Sequence, residues 1–253
     1  MKNQEKFDMT KSRFENLFEE KLSYERQTRD DDHLSKIINA LKFQNSDKLM
    51  DLGTGTGYIA FTLAKENPNL QIVGLDIVTN ALKANTEKAV KEQLDNITFV
   101  EYNGMNIPFQ DNTFDCIVTR YAMHHFTEIE KSFKEIYRVL KPGGQLFISD
   151  PTPNERDENR FVDDFMKLSK DDGHIQFYKK EELETMASTA GFKIDDYFMT
   201  EIRFPSSSRT EGYRKIEHEL PISIKESYDI EIINEEVYIT EKVLNISFLK
   251  PLA

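Results

Sequence analysis

The sequence predicts an α/β fold, an open and mostly parallel sheet with helices on both faces, and three observations predict it. An apolar run ends in a glycine turn, Asp51-Leu-Gly-Thr-Gly-Thr-Gly-Tyr-Ile59, and an apolar helix-like run begins there. A second short apolar run, Gln71-Ile-Val-Gly-Leu-Asp76, closes on an acid about 20 residues past the glycines. Downstream, strand-like and helix-period segments keep alternating, the pattern of repeated strand–helix–strand units.

Each element has its own justification. Phe14, Leu17, Phe18 and Leu22 recur at helical spacing, so the N-terminal segment is expected to be an amphipathic helix, docked on the domain or laid over its active site. Asp30-Asp-Asp32 offers N-cap candidates for a helix with Leu34, Ile37, Ile38 and Leu41 on one face, ending near Asn45. Asp47–Asp51 is a buried first strand and Tyr58–Ala64 a buried helix. Glycine suits the turn between them, because it accepts positive φ and lets a ligand approach main chain where a Cβ would collide. The helix N-terminus adds unpaired N–H groups, so the turn is read as a nucleotide-cofactor site.

After Asp76, Thr79–Leu94 reads as a helix and Ile97–Glu101 as a third strand. Asp111–Arg120 supplies a turn and a fourth strand, whose end is where an open α/β sheet meets ligands. Thr127 and Glu130 form a capping-box pattern before a helix carrying Ile129, Phe133, Ile136 and Leu140, which stops at Lys141-Pro-Gly-Gly144. Gln145–Ser149 is the fifth strand. Helices are expected around Phe161–Leu168 and over Lys180–Ala190, a strand over Phe192–Met199, a loop at Pro205–Ser208, and a terminal strand over Val243–Leu249.

Composition narrows the function. Lys+Arg 33 against Asp+Glu 45 gives a net charge of -12 and no basic patch is evident, so nucleic acid is disfavoured as a partner. The single cysteine, Cys116, lies in Phe114-Asp-Cys-Ile-Val118 and is expected to be a buried strand residue. The first residues carry no apolar signal region and no apolar run approaches a membrane span. A cytoplasmic protein without integral membrane association is expected, and nothing in the sequence fixes its oligomeric state.

Spacing selects the cofactor. A dinucleotide fingerprint wants a glycine at its sixth position, and Tyr58 stands there. With Gly53, Gly55 and Gly57, the stretch Asp51-x-Gly-x-Gly-x-Gly57 instead resembles motif I of the class I S-adenosylmethionine-dependent methyltransferases. Asp76, the Ile107-Pro-Phe109 loop, Tyr121-Ala-Met-His-His-Phe126 and Arg138-Val-Leu-Lys-Pro-Gly-Gly144 follow in the family's order. The pattern is most similar to the branch containing the ubiquinone and menaquinone C-methyltransferases.

The resemblance implies a Rossmann-like, seven-stranded mixed sheet of order 3-2-1-4-5-7-6 with the last strand antiparallel. It implies one domain over 1–253, with a helical cap at 1–45, a cofactor-binding core at 46–150, and substrate-covering insertions with terminal strands at 151–253. It places the three glycines against the methionine part of S-adenosylmethionine, with Asp51 helping to hold its amino group. Asp76, followed by Ile77, is assigned to the ribose. Asn103, Gly104 and Met105 are assigned to the adenine, with Asn103 standing where the family often has aspartate. Main chain near Arg120 would receive the ammonium group; the Arg120 side chain is a candidate to bind the cofactor carboxylate or substrate, or to pair with an acid.

The cofactor's sulfonium methyl is already electrophilic, so the protein must chiefly align a nucleophilic acceptor atom and exclude water. A base is useful only where the acceptor must lose a proton. His124 and His125 are the candidates, since imidazole titrates near neutrality, and at most one of two adjacent residues is expected to reach substrate. Both could equally hydrogen-bond structurally or shape the cofactor pocket. Tyr121 is a candidate substrate contact, with core packing its other reading, and His174 is expected to be solvated or to line the covering insertion. No metal site is expected. Two functions remain open: a methyltransferase acting on a small-molecule acceptor and releasing S-adenosylhomocysteine, or a non-catalytic cofactor-binding partner or sensor. Turnover separates them.

Overall fold

The computed structural model describes residues 8, 11–12, 14–16, 29–44, 46–169 and 173–252. Leu17, Phe18 and Leu22 lie outside them. The elements, in order, are α1 (Asp31–Ala40), β1 (Lys48–Leu52), α2 (Tyr58–Glu66), β2 (Gln71–Asp76), α3 (Thr79–Lys91), β3 (Ile97–Glu101), β4 (Phe114–Arg120), α4 (Ile129–Val139) and β5 (Leu140–Thr152). There follow α5 (Phe161–Met166), α6 (Lys180–Ala190), β6 (Lys193–Pro205), α7 (Thr210–Ile216), α8 (Ile222–Ser227), β7 (Glu231–Ile233) and β8 (Glu236–Leu249).

The strands form one sheet in the order β3-β2-β1-β4-β5-β8-β6, with β7 added on β8. Strands β1 to β5 pair in parallel and β8 runs antiparallel between β5 and β6. The expected order therefore holds, with β8 in the inserted antiparallel place and one short strand more than expected. Apolar side chains pack both faces. On one, α4 and α6 bring Phe133, Ile136 and Leu183 against Met50, Ile117 and Leu146. On the other, α1 and α2 bring Leu34, Ile37 and Leu63 against Leu49, Cys116 and Phe147. Cys116 is fully buried in β4, as its apolar neighbours require, and burial pushes its thiol far up.

Strands β6 and β8 run past the end of β5. The β5 pairing ends at Thr152↔Lys242, whereas β6 continues to Pro205↔Tyr238 and β7 takes up the free edge at Glu231↔Tyr238. On this arm α5, α7 and α8 build a separate apolar cluster around Phe165, Tyr213, Tyr228, Val237 and Ile239. The Tyr228 hydroxyl, fully buried, donates to Asp157 Oδ2 at 2.7 Å and accepts from the Asn154 N–H at 3.0 Å. This cover was only partly visible in the sequence: β6 extends through the segment Arg203–Pro205 expected to lead into a loop, and a helix follows at Thr210.

Two local expectations change. Thr127 does not cap α4; Glu128 holds the cap position with no side-chain cap bond, so the capping box is not formed. Leu140, expected in that helix, begins β5 instead, because Lys141-Pro-Gly-Gly144 continues as an irregular extended segment pairing beside β4. At α1 the expected cap holds: Asp30 Oδ1 accepts from the His33 N–H at 2.9 Å.

Candidate active site

Buried acids stand at or near the carboxyl ends of β1, β2 and β5, namely Asp51, Asp76 and Asp150, and β4 ends on Arg120. Between β1 and α2 the three glycines all adopt positive φ, at 74°, 51° and 76° for Gly53, Gly55 and Gly57. Gly53 cannot carry a side chain, since a Cβ there would stand 2.6 Å from the Ala122 Cβ; at Gly57 it would meet the Phe61 ring at 2.6 Å. The turn is tied to β2, where the Leu75 carbonyl accepts from the Gly53 N–H at 2.7 Å and the Thr54 N–H at 3.1 Å.

Asp51 lies 3% exposed beneath this turn and accepts from the Thr54 hydroxyl at 2.8 Å. Burial pushes its carboxyl up to about 6, with the Thr54 hydroxyl and the Ala60 amide opposing. Asp76 Oδ2 accepts from the Gly55 N–H at 2.7 Å, while its Oδ1 accepts from Ile77 at 2.7 Å and Val78 at 3.0 Å. A carboxylate offers about four acceptor positions, so Oδ2 retains capacity for a hydroxyl donor. Burial raises the Asp76 pKa and those three amides hold it back. Asn85 Nδ2 donates to the Gly55 carbonyl at 2.8 Å and fixes the turn from α3.

Beyond β4 the chain makes a sharp corner. Tyr121 takes a left-handed φ of 54°, an uncommon state for a bulky residue, while its N–H donates to the Ser149 carbonyl at 2.9 Å. The Arg120 guanidinium lies 4.0 Å from the Tyr121 ring centroid and 5.3 Å from that of Tyr58. Asp51, Gly53, Gly55, Tyr58, Arg120 and Tyr121 line one cleft. Tyr121 also reaches the Nδ1 of buried His33 at 3.3 Å, and His33 Nε2 lies 2.9 Å from Asn245 Oδ1. Burial lowers the His33 pKa, keeping that imidazole neutral at physiological pH.

The short 3-10 turn Met123–His125 sets the histidines. His124 is buried and its Nδ1 lies 3.0 Å from both oxygens of Asp150, whose Oδ2 also accepts from the His124 N–H at 3.1 Å. Burial drives the Asp150 pKa well above the carboxylate range, opposed by main-chain amides of residues 122–124. The His125 ring centroid lies 4.0 Å from that of His124 with the rings tilted by 52°, and it stands edge-on to Phe14 at 5.0 Å. His174, expected to be solvated or to line the covering insertion, is buried with its side chain 2% exposed; its Nε2 lies 2.8 Å from Asp163 Oδ1 and its ring 5.5 Å from His124. The covering segment thus completes a three-imidazole cluster. Among the described residues no group of three or more His, Cys, Asp and Glu is arranged to hold a metal ion.

Part of the N-terminal segment lies over this edge. Glu15 accepts from the Thr79 N–H at 2.8 Å and the Asn80 N–H at 3.1 Å, capping α3, and Lys11 pairs with Glu101 at the end of β3 at 2.8 Å. In the loop after β3, Asn103 Oδ1 accepts from Met105 at 3.0 Å and Asn106 at 2.8 Å, so its oxygen shapes the turn around Gly104 (φ 73°) and only its amide nitrogen remains to meet a base.

The methyltransferase domain family matches residues 43–191, more than half of the chain, and the chain belongs to that family. Its cofactor is S-adenosylmethionine, and the residues fit it: a buried acid and a guanidinium flank a glycine turn, and a second carboxylate closes the next strand. Bound there, the cofactor supplies an electrophilic methyl group. Over 122 residues the chain is 36% identical to a demethylmenaquinone methyltransferase of Bacteroides fragilis, covering 48% of this chain and 50% of that protein. It spans about half the length of the curated demethylmenaquinone methyltransferases it matches. It is 27% identical over 165 residues to YcgJ of Bacillus subtilis, named an uncharacterized methyltransferase, covering 64% of each. The YcgJ structure superposes with a TM-score of 0.78 at 21% identity, covering 88% of this chain and 100% of that one. A Haemonchus contortus phosphoethanolamine N-methyltransferase solved with S-adenosyl-L-methionine superposes at 0.60 and 22% identity, covering 87% of this chain and 52% of that one.

Sequence reasoning missed Asp150, Asp163, His33 and the contacts of Phe14 and Glu15. Asp150 had a legible signal, an acid closing an apolar strand like Asp51 and Asp76. Asp163 and His33 had none, because their partners are 11 and 212 residues away.

Proposed function

We propose that this chain transfers the methyl group of S-adenosylmethionine to a small-molecule acceptor held between the carboxyl edge of the sheet and the cover built on β6 and β8. The observation that carries the proposal is the buried His124–Asp150 pair beside the glycine turn: Asp150 fixes the ring through Nδ1, and an imidazole oriented in this way is the general-base candidate for an acceptor that must lose a proton. His125, half-buried and packed on Phe14, is the second candidate and forms part of the wall. Asp51 and Arg120 hold the amino-acid end of the cofactor, Asp76 with Ile77 the ribose, and Asn103, Gly104 and Met105 the adenine. Tyr121, strained and lining the cleft, sits where acceptor and cofactor would meet. The remaining task is to exclude water and align the acceptor atom, which the N-terminal contacts and the cover both favour.

The net charge of -12 supports a small-molecule acceptor over nucleic acid. No helix among the described residues is long and apolar enough to cross a membrane, which agrees with a cytoplasmic location. The names of the curated relatives make a demethylmenaquinone-type ring one acceptor to test. Calorimetry with S-adenosylmethionine, S-adenosylhomocysteine and NADH, followed by a panel of phenols, quinols and amines assayed for S-adenosylhomocysteine release, tests the proposal. Binding of the first two with turnover of an acceptor is expected. NADH binding without S-adenosylmethionine binding would overturn the assignment, and cofactor binding with no turnover across the panel would favour a non-catalytic partner or sensor.

A further inference from the structure

Glu241 on β8 is buried to 2% exposure, yet among the described residues no group donates a hydrogen bond to its Oε1. Its register explains the burial. Along β8 the residues Val237, Ile239, Glu241 and Val243 alternate onto one buried face, and Glu241 is the charged member of that row. An unpaired carboxylate among apolar neighbours costs several kcal/mol, so such a group is seldom kept for stability.

Its place in the sheet is equally specific. The β5 edge of β8 ends at Lys242, and β7 takes up that edge only from Tyr238 onward. Residues 239–241 thus face a notch between two strand ends, where the Tyr228 carbonyl accepts the Thr240 N–H at 2.7 Å. The notch lies on the carboxyl side of β5, next to the Asp150 end, where ligands approach an open α/β sheet. Glu241 is close enough to Tyr121 and Tyr228 for its charge to raise both phenols, and Asp150 in turn raises Glu241. Arg209 is the cation whose charge reaches it, but the Arg209 Nε already donates to the Met166 carbonyl at 3.2 Å. A carboxyl buried to 2% exposure, with no donor to its Oε1 among the described residues, is a place short of positive charge.

We propose that Glu241 is the subsite for a positively charged nitrogen on the methyl acceptor, an inference that rests on the methyl-transfer reading above. A protonated amine donates to the orphaned oxygen, restores the ionised carboxylate, and offsets the repulsion between Glu241 and Asp150. The acceptor class is thereby an amine rather than a neutral phenol or quinol. Residues 192–253, which carry this subsite, lie outside the matched family segment.

The test uses the full chain saturated with S-adenosylhomocysteine and matched probes, 2-phenylethylamine with 2-phenylethanol among a set of primary amines and their alcohol counterparts, measured by calorimetry. Amines are expected to bind the wild type. Glu241→Gln is expected to weaken the same amines by on the order of 30-fold or more, with little effect on alcohols. Unchanged S-adenosylhomocysteine affinity shows that the variant is folded, and thermal unfolding at pH 9 gives a second check, since losing a buried charge should raise its midpoint above that of the wild type. Failure of the wild type to bind S-adenosylhomocysteine overturns the methyl-transfer reading itself. Normal cofactor binding with amines held equally by wild type and Glu241→Gln, or with only neutral alcohols, phenols or quinols bound, overturns the role of Glu241.

Discussion

Replacing Gly53 by alanine perturbs the turn at a point where two costs can be separated. At φ 74° a residue with a Cβ pays about 1–2 kcal/mol for the left-handed conformation. The new Cβ would also stand 2.6 Å from the Ala122 Cβ, about 1 Å inside ordinary carbon–carbon contact. Ala122 cannot simply retreat: it follows the strained Tyr121, whose N–H is tied to Ser149, and it precedes the Met123–His125 turn. A further cost of about 1–3 kcal/mol follows from such overpacking. Gly53→Ala should therefore lose roughly 2–5 kcal/mol, visible as a fall of roughly 5–15 °C in the thermal midpoint at about 2–4 °C per kcal/mol. S-adenosylhomocysteine affinity by calorimetry should fall by at least about tenfold. Adding Ala122→Gly removes the collision but not the φ cost, so the double variant should regain about half of the lost stability. A single variant unfolding within about 0.5 kcal/mol of wild type, or a double variant showing no recovery, would refute this account of the turn.

Three further outcomes are expected. Because the Asp51 carboxyl is raised to about 6 from the ordinary 3.8, ionising it costs the fold roughly 3 kcal/mol at about 1.4 kcal/mol per tenfold; this stability is present below about pH 4 and lost as pH rises through 6. Asp51→Asn should accordingly be relatively more stable than wild type at pH 8 than at pH 4 in thermal melts, while S-adenosylmethionine affinity falls and the wild type itself binds more weakly below pH 6. Asp76→Ala leaves the Gly55, Ile77 and Val78 amides without their acceptor, so cofactor affinity and thermal midpoint should drop together, by about 1–3 kcal/mol for each donor left dry; normal binding in that variant would remove the ribose assignment. Once an acceptor is found, His124→Ala should lower kcat by on the order of 100-fold with little change in cofactor affinity, and unchanged turnover in His124→Ala or His125→Ala would remove that histidine from the base role.

How far the sequence reached can be judged residue by residue. Local signals carried well: β2 and β3 begin and end where alternation and apolar runs placed them, the glycines take the positive φ their spacing demanded, and α6 matches its predicted span. The Thr127 capping pattern misled because a capping box is only one of several ways to start a helix, and here tertiary packing of Ile129, Phe133 and Ile136 sets the start. The cover was the least legible part. Strand β6 reads as polar, since its outward positions are exposed and it sits at the sheet edge, so its extension to Pro205 depends on pairing with β8 rather than on its own composition. His174 shows the same limit at the site: adjacent to Asp171-Asp-Gly173 it looks solvated, and only the return of the chain to His124 buries it.

Strand β8 serves two structures at once, and this makes the position of Glu241 a matter of mechanical constraint. Its C-terminal half inserts Leu244, Ile246 and Phe248 into one core face, while Asn245 and Ser247 on the other bond His33 and Asp195. Turning Glu241 out to water by slipping the strand one residue would expose those three apolar side chains and break both polar ties. A strand anchored so firmly at one end cannot relax at the other. The burial of the Glu241 carboxyl is thus imposed by the sheet, much as a rigid frame holds a loaded spring.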